Sequence, residues 1–318
     1  MINIKERKLI YWLDQNSRTT NKQLGKKIGL SEQAVAYNLS KFEREGLIKR
    51  YITFVNTLSL GYEHYKILIR LYDTNTKKEI EILEYLTKKE NIRWVVSCLG
   101  KWDLSFSVMA KNANKFLEIF REIEEKYGKY MLEKNISILV KSPGFSKRYL
   151  INEKSTKTLD YNPKTNSVKL DDIDKKILKN ISQNARKSLI DISKDTRLSL
   201  DIVRYRIKKM EQNKLISGYT IQLDLKKIGL LRYSVFFNLH GINKEIEENM
   251  IIFAKRYQNI IFVLVLIGNY DLSLELEVES QEELRNILKD FREEFSENIR
   301  DFEIIQNTEE YKYDFYPF

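Results

Sequence analysis

The chain has 318 residues, of which 42% are hydrophobic, and a net charge of +10 at pH 7. This length suggests two domains or more, and the hydrophobic content argues against a disordered chain. No apolar run approaches the roughly 18 residues of a membrane span, and no signal-peptide pattern opens the sequence. The single cysteine, Cys98, cannot form an internal disulfide, so we expect a cytoplasmic protein in which Cys98 is a buried apolar residue.

The helical patterns of residues 1–60 predict three short helices and a strand. Leu24 and Ile28 lie one turn apart before Gly29, and Ser31 is a natural N-cap for a third helix that buries Val35, Leu39 and Phe42. A strand follows Gly46. Three helices with a tight turn before the third, then strand residues, predict a winged helix-turn-helix domain.

Residues 61–141 alternate between strand and helix patterns in the order βαββαβ, which predicts a ferredoxin-like domain with its helices on one sheet face. Its central hairpin contains LGKWDLSFSV, from Leu99 to Val108. Gly100 and Lys101 suit a two-residue type II′ turn, and Asp103 is placed to accept hydrogen bonds from loop N–H groups.

The hairpin phrase recurs as IGNYDLSLEL, from Ile267 to Leu276, and Gly268 follows Gly100 by 168 positions. The same offset aligns further identical pairs: Arg18 with Arg186, Ser31 with Ser199, Tyr37 with Tyr205, Gly61 with Gly229, and Asp103 with Asp271. A constant offset predicts a tandem duplication of one unit of roughly 140 residues. The fold class is therefore α+β, with two winged helix-turn-helix domains that are each followed by a βαββαβ domain.

Domain boundaries follow from the duplication. Residues 142–169 hold two of the three prolines and are rich in Ser, Thr, Asn and Lys, which is typical of a linker, although residues 145–151 could add a short strand to the first copy. The predicted divisions are helix-turn-helix 1–60, ferredoxin-like domain 61–150, linker 151–169, helix-turn-helix 170–230 and ferredoxin-like domain 231–318.

Positive charge concentrates in the two predicted helix-turn-helix domains, which hold 11 basic and 5 acidic residues in the first and 14 and 8 in the second. This distribution indicates a polyanionic partner. The third helix of each domain has a polar or basic outer face suited to base edges and phosphates. The candidate DNA-binding residues are Gln33, Ala34, Tyr37, Asn38 and Lys41 in the first copy and Asp201, Ile202, Tyr205, Arg206, Lys208 and Lys209 in the second.

These motifs together resemble the leucine-responsive regulatory protein (Lrp/AsnC) family of transcription factors, over nearly the whole chain and twice. The second copy carries the typical opening, Leu170-Asp171 through Asp174 to Ile177-Leu178. The resemblance implies that the second domain of each unit is a RAM domain, which pairs sheet to sheet in dimers. Departures include Asn38 where the family usually has Arg and Lys214 where Gly usually ends the helix, so the two copies are expected to recognise different bases.

The resemblance also implies an effector site near the central hairpins, which points to Gly100, Asp103, Gly268 and Asp271. An amino acid is the kind of effector that the family often binds. The alternative is that these residues only shape the hairpin turns. Self-association into dimers or higher oligomers is a further expectation.

Charge patterning suggests that the two unlike copies pair with each other. Glu275, Glu277 and Glu279 alternate with apolar residues on one predicted strand, and Lys66 and Arg70 do so on a strand of the first copy. The alternative is that these glutamates line a solvated sheet face.

We therefore predict a sequence-specific regulator that binds double-stranded DNA, is not an enzyme, has no membrane contact and uses no cofactor. The sequence contains no phosphate-binding loop and no Cys/His set for a metal. Two alternatives are a sirohaem decarboxylase, which shares the fold and is expected to place His and Arg around a tetrapyrrole, and a weakly specific DNA-architectural protein. The only histidines, His64 and His240, do not occupy equivalent positions.

Overall fold

A computed structural model of the chain describes residues 2–152, 158–161 and 169–318. The first unit comprises α1 Ile4–Gln15, α2 Asn21–Ile28, α3 Glu32–Arg44, β1 Ile48–Val55, β2 Glu63–Leu71, α4 Thr76–Lys88, β3 Ile92–Leu99, β4 Leu104–Ala110, α5 Ala113–Tyr127 and β5 Met131–Phe145, followed by β6 Thr158–Tyr161. The second unit comprises α6 Asp172–Gln183, α7 Leu189–Thr196, α8 Leu200–Gln212, β7 Ile216–Leu223, β8 Leu231–Leu239, α9 Lys244–Arg256, β9 Ile260–Gly268, β10 Leu272–Val278, α10 Gln281–Glu294 and β11 Ile299–Tyr313. The predicted duplication is confirmed element by element.

The second and third helices of both helix-turn-helix domains are followed by a residue in the left-handed conformation. This residue is glycine in the first unit and another residue type in the second. Gly29 closes α2 at φ 68°, and Arg197 closes α7 at φ 57° in the matching position. After the third helices, Gly46 has φ 67° and Lys214 has φ 56°. The left-handed termination is thus kept in the second unit by non-glycine residues, which adopt it at some cost in backbone energy.

The strand that follows each helix-turn-helix pairs with its counterpart in the other unit. β1 and β7 form a two-stranded antiparallel sheet, with Ile52 opposite Thr220. One hydrophobic core spans both helix-turn-helix domains and includes Leu9 and Phe42 from the first unit and Ile177 and Met210 from the second. The two helix-turn-helix domains are therefore joined through a common core.

The two ferredoxin-like sheets close into a ring of eight strands. Hydrogen-bonded neighbours run β2-β4-β3-β11-β8-β10-β9-β5, and β5 also pairs with β2. The helices of each unit cover the outer face of their own sheet over separate apolar cores, which contain Phe106 and Ile123 in the first unit and Leu274 and Phe291 in the second. The inner faces of the two sheets meet, with Trp102 and Tyr270 buried between them.

The last strand of each unit has 15 residues and links the two sheets. β11 continues to Tyr313, pairing first with β8 and then with β3 of the other unit. β5 likewise pairs with β2 and then with β9. Both extensions add main-chain hydrogen bonds across units, which local sequence patterns cannot signal.

The proposed linker is partly structured. Ser142–Phe145 belongs to β5 and pairs with β6, and a 3-10 turn follows at Arg148–Leu150 where a strand extension was considered. Within the predicted linker 151–169, residues 153–157 and 162–168 lie outside the described part of the chain. The aromatic C-terminus docks on its own chain, because Phe315 packs on Phe54 with ring centroids 4.5 Å apart.

Candidate DNA-binding surface and the interior between the units

The third helix of the first unit presents the predicted outer face. The hydroxyl of Ser31 accepts a hydrogen bond from the Ala34 N–H at 3.1 Å and so caps α3. Gln33 is exposed, and Tyr37 is 66% exposed. Asn38 is half-buried and donates from its amide to the Ala34 carbonyl at 2.9 Å. Gln33 and Tyr37 therefore form the accessible part of this face.

Lys41 faces the first helix of its own unit. Its ammonium lies 2.9 Å from a carboxylate oxygen of Glu6. Burial opposes ionisation of Glu6, but hydrogen bonds from Asn3 and Lys41 outweigh it and lower the pKa of the carboxyl. Lys41 therefore holds the recognition helix to α1, a role that its polar position on the helical pattern did not reveal.

The third helix of the second unit is more exposed and more basic. Ser199 caps α8, since its hydroxyl accepts from the Ile202 N–H at 3.3 Å. Tyr205 is 62% exposed, and it occupies the position that matches Tyr37. The remaining candidates that are exposed on this helix are Asp201, Ile202, Lys208 and Lys209.

Arg206 attaches the third helix of the second unit to the start of its first helix, as Lys41 does in the first unit. Its guanidinium lies 2.6 Å from Asp171 and 3.3 Å from Asp174, both at the start of α6. The hydrogen bond with Asp171 raises the pKa of Arg206. In the repeat alignment Arg206 matches Asn38 and not Lys41. The basic residues that attach the two recognition helices therefore differ by one helical turn in position.

Arg18 and Arg186 hold the two helix-turn-helix domains together. The sequence showed them only as identical residues at the repeat offset. Arg18 donates to the carbonyls of Ala185 at 2.5 Å and Lys187 at 3.2 Å. Arg186 donates in return to the carbonyls of Ser17 at 2.6 Å and Thr19 at 3.0 Å. The contacts are reciprocal, as across a twofold axis. Identity at the repeat offset, together with a loop position after the first helix, was the available signal.

The central hairpins meet the last strand of the opposite unit. A Cβ atom added to Gly100 would lie 3.2 Å from the Ile304 carbonyl oxygen. A Cβ atom added to Gly268 would lie 2.7 Å from the Ile136 carbonyl oxygen. The connections are longer than the predicted two-residue type II′ turns, since the Cys98 N–H bonds the Asp103 carbonyl at 2.7 Å. Gly100 has φ 134°, outside the type II′ corner.

The hairpin aspartates accept hydrogen bonds from a neighbouring strand and not from the hairpin loop. Asp103 accepts from the Leu71 N–H and Asp271 accepts from the Leu239 N–H, each at 2.7 Å. The prediction of loop N–H partners was therefore wrong, because each carboxylate reaches the end of the adjacent first strand. Gly100 also borders an open groove of about 1200 Å³ along α10. An effector at Gly100, Asp103, Gly268 and Asp271 stays a prediction.

The predicted pairing of unlike copies is confirmed inside the ring. Lys66 and Glu275 form a buried ion pair at 3.2 Å across the two sheets. Glu277 is fully buried and lies beside Lys147, Tyr149 and Arg232. Of the remaining charged residues in the hypothesis, Arg70 and Glu279 are exposed and lie outside this arrangement.

Electrostatics keep Glu277 ionised although it is buried. Burial raises its pKa, but the charges of Lys147 and Arg232 prevail and lower the pKa to about 2. Arg232 also binds Glu310 at 2.7 Å, and Gln222 of β7 donates to the same carboxylate at 2.7 Å. These contacts connect the ring to β7 of the two-stranded sheet. We refer to Glu277, Lys147, Tyr149, Arg232 and Glu310 as the ion network.

A cavity of about 150 Å³ lies between the sheets where they meet β1. Its apolar lining includes Phe54, Phe262, Leu264 and Phe315. His64 and Arg93 also line it. Burial, and to a smaller extent the charge of Arg93, lowers the pKa of His64 to about 3. His240, in contrast, is exposed.

Two other predictions concern Cys98 and membrane contact. Cys98 is half-buried, and burial raises the pKa of its thiol to about 12. Within residues 2–152, 158–161 and 169–318, none of the helices has the length and apolar character needed to cross a membrane. The same ranges contain no cluster of His, Cys, Asp and Glu that could hold a metal ion.

Comparison with known proteins matches this architecture. A family model described as winged helix-turn-helix DNA-binding matches residues 2–49 and 170–217. The HTH-type transcriptional regulator FL11 of Pyrococcus horikoshii is 30% identical over 123 residues, which cover 38% of this chain and 79% of that protein. The regulator LrpA of the same organism is 28% identical over 129 residues, covering 41% and 88%. Each relative thus corresponds to about one unit.

A solved structure resembles the whole chain. The crystal structure of the siroheme decarboxylase NirDL aligns with a TM-score of 0.62 at 12% identity, covering 97% of this chain and 92% of that one. At this identity the likeness establishes a shared fold with two tandem units.

Proposed function

This chain belongs to the Lrp/AsnC family, and from that premise we propose that it is a sequence-specific DNA-binding transcription regulator. Its two unlike helix-turn-helix domains act as a covalent pseudo-dimer on an asymmetric DNA site. The observation that carries the proposal is the reciprocal clamp of Arg18 and Arg186, which fixes two different recognition helices in one twofold-like frame. A frame of this kind is what a helix-turn-helix dimer needs to reach two half-sites.

The exposed residues of the two helices support different base preferences. The first helix offers Gln33 and Tyr37, and the second offers Asp201, Ile202 and Tyr205. An amide side chain favours adenine, whereas a carboxylate accepts from cytosine and an aliphatic group contacts the thymine methyl. Lys208 and Lys209 add charge for phosphate contacts on the second helix.

Selection of bound duplexes from a random DNA pool tests the proposal. We expect two dissimilar half-sites whose centres are about one helical turn apart. Tyr37→Ala should relax sequence preference in one half-site and Tyr205→Ala in the other, each with about a tenfold loss of affinity. Tyr72→Ala is the matched control, because Tyr72 is 60% exposed and follows β2 in the ferredoxin-like domain, where its N–H bonds the Tyr130 carbonyl.

The outcome separates this function from a DNA-architectural one. An architectural protein would enrich no sequence from the pool, although it would still bind with a strong salt dependence from phosphate contacts. A palindromic selected site would contradict the asymmetric pseudo-dimer but not DNA binding itself. Each result is read in the same monovalent salt, because affinities at different salt concentrations are not comparable.

A sirohaem decarboxylase is the second candidate, favoured by His64 and Arg93 lining one cavity. This cavity is too small for a tetrapyrrole, because about 150 Å³ holds a single benzene-sized molecule. The larger groove of about 1200 Å³ along α10 has no histidine among the described residues of its lining. His240 is exposed and gives no second histidine to the cavity. Titration with sirohaem tests this directly, and we expect the absorption spectrum of sirohaem to stay unchanged.

A further inference from the structure

We propose that the cavity between the two sheets is a binding site for a small neutral molecule built on one aromatic ring. Its volume is about 150 Å³, which suits a guest of the size of benzene. Both units form it, with Leu139 from the first and Ile261 and Leu264 from the second. Among the described residues, its lining includes none of the four hairpin residues at which the family resemblance places an effector.

The space lies where the first unit carries shorter side chains than the second. At the repeat offset, His64 occupies the position of Arg232, and Ser142 occupies the position of Glu310. Arg232 and Glu310 lie 2.7 Å apart and belong to the ion network. His64 and Ser142 both line the cavity. The volume that an ion pair fills in one half of the interior is therefore open in the other half.

The cavity is also more apolar than its counterpart in the second unit. Phe315 occupies the position of Lys147, a member of the ion network. Phe54 occupies the position of Gln222, which donates to that network. The ring centroid of Phe54 lies 4.5 Å from that of Phe315 and 6.2 Å from that of Phe262. Aromatic walls of this kind favour a hydrocarbon ring over water.

The charged side chains of the lining interact within the chain, which favours a neutral ligand. Lys66 pairs with Glu275 at 3.2 Å, and Arg232 belongs to the ion network. Arg93 also interacts with other residues of the chain, and the low pKa of His64 keeps its imidazole neutral at pH 7. A charged ligand would lose its hydration here without gaining a free counter-ion, whereas a neutral ligand avoids that cost.

Three ligands that share one ring and differ in charge test the proposal by calorimetric titration. The sample is the full chain at pH 7 without DNA, so the result does not depend on the proposed function. Benzyl alcohol is the neutral probe, benzylammonium the cation and benzoate the anion. We expect benzyl alcohol to bind and each ion to bind at least about tenfold more weakly, because each would bury an unpaired charge.

Two results of this titration would overturn the proposal. One is an ion that binds as tightly as benzyl alcohol. The other is the absence of binding at about 10 mM benzyl alcohol, near the weakest affinity that calorimetry measures.

Substitutions in the lining locate the bound molecule. Leu264→Phe adds volume inside the cavity and should weaken the binding of benzyl alcohol at least about tenfold. Leu117→Phe is the matched control, because Leu117 lies on α5 and is 42% exposed, and it should leave the affinity unchanged.

Ser142→Glu tests the comparison of the two units, because it restores the residue that the ion network has at this position. We expect benzyl alcohol to bind at least about tenfold more weakly to this variant, since a longer, charged side chain enters the cavity. Ser142→Ala, which adds neither volume nor charge, should keep the affinity of the unsubstituted chain. Cooperative thermal unfolding verifies that each variant is folded. Unchanged affinity in a folded Leu264→Phe or Ser142→Glu variant would overturn the proposal.

Discussion

The two halves of the ring interior come from the two copies of the repeat, but their side chains differ in charge. In one half, Arg232 faces Glu277 across neighbouring strands, and the ion network fills the space. In the other half, His64 faces Met109 in the same register, and a cavity remains. The pairings of β2 with β4 and of β8 with β10 have the same register. The ends of β5 and β11 differ, since β5 pairs with β6 and β11 has an additional register shift against β3.

This difference shows what a duplication within one chain permits. A symmetric homodimer must place the same residue at both ends of its interface. A fused pair can use one end for a fixed ion network and leave the other open, while matched contacts such as the Arg18 and Arg186 clamps keep the frame symmetric. Asymmetry in the interior thus accompanies the asymmetry of the recognition helices.

The largest effect is expected from Glu277→Gln. The substitution leaves Lys147 and Arg232 buried beside a neutral amide, so we expect the free energy of unfolding to fall by about 3 kcal/mol. Urea denaturation at pH 7 measures it. Met109→Leu, at the matching position of the open half, should cost less than about 1.5 kcal/mol because it exchanges similar volumes.

Glu279→Gln is the control for charge alone, since Glu279 is exposed at the end of the same strand and should change stability by less than about 0.5 kcal/mol. If Glu277→Gln were as neutral as Glu279→Gln, the ion network would contribute nothing to the fold. The comparison between the two halves would then rest on packing only.

The hairpin glycines provide a second comparison between the units. Ala at Gly268 would bring its Cβ to 2.7 Å from a carbonyl oxygen, and Ala at Gly100 to 3.2 Å from the matching one. Both glycines also have φ values, 144° and 134°, that other residues rarely adopt. We expect Gly268→Ala to lower the free energy of unfolding by about 3 kcal/mol and Gly100→Ala by about 1–2 kcal/mol.

Thermal unfolding of the two variants side by side measures the difference. Equal losses would mean that backbone conformation alone decides the cost and that the closer approach at Gly268 is relieved by a small shift. A larger loss for Gly100→Ala would contradict the geometry of the two hairpins.

The fold could be predicted from the sequence where information is local or repeated. Ser31 and Ser199 begin the recognition helices as expected, and alternation along β10 placed Glu275 and Glu277 on the inner face. The extensions of β5 and β11 could not be predicted, because their partners lie in the other unit. The inward contacts of Lys41 and Arg206 were missed for the same reason, since a basic residue on a helix is compatible with DNA or with a neighbouring carboxylate.

The smallest effect is expected from the unlike histidines and appears as a pH dependence. Burial lowers the pKa of His64 to about 3, so below its unfolded-state value near 6.5 the unfolded chain binds a proton that the folded chain does not. Stability contributed by neutral His64 is therefore present above pH 6.5 and is lost as the pH falls toward 3. Between pH 6 and pH 5 this loss should be about 1 kcal/mol.

His64→Gln should remove that pH-dependent increment, because Gln does not titrate and can still hydrogen-bond the Thr57 hydroxyl, which lies 2.6 Å from the imidazole Nε2. Urea denaturation at pH 6 and pH 5 gives the two free energies for each protein. His240→Gln, at the exposed histidine, should keep the full dependence of the unsubstituted chain. The same slope in all three proteins would mean that the pKa of His64 does not differ between the folded and the unfolded chain, so the imidazole would be protonated inside the ring at pH 5.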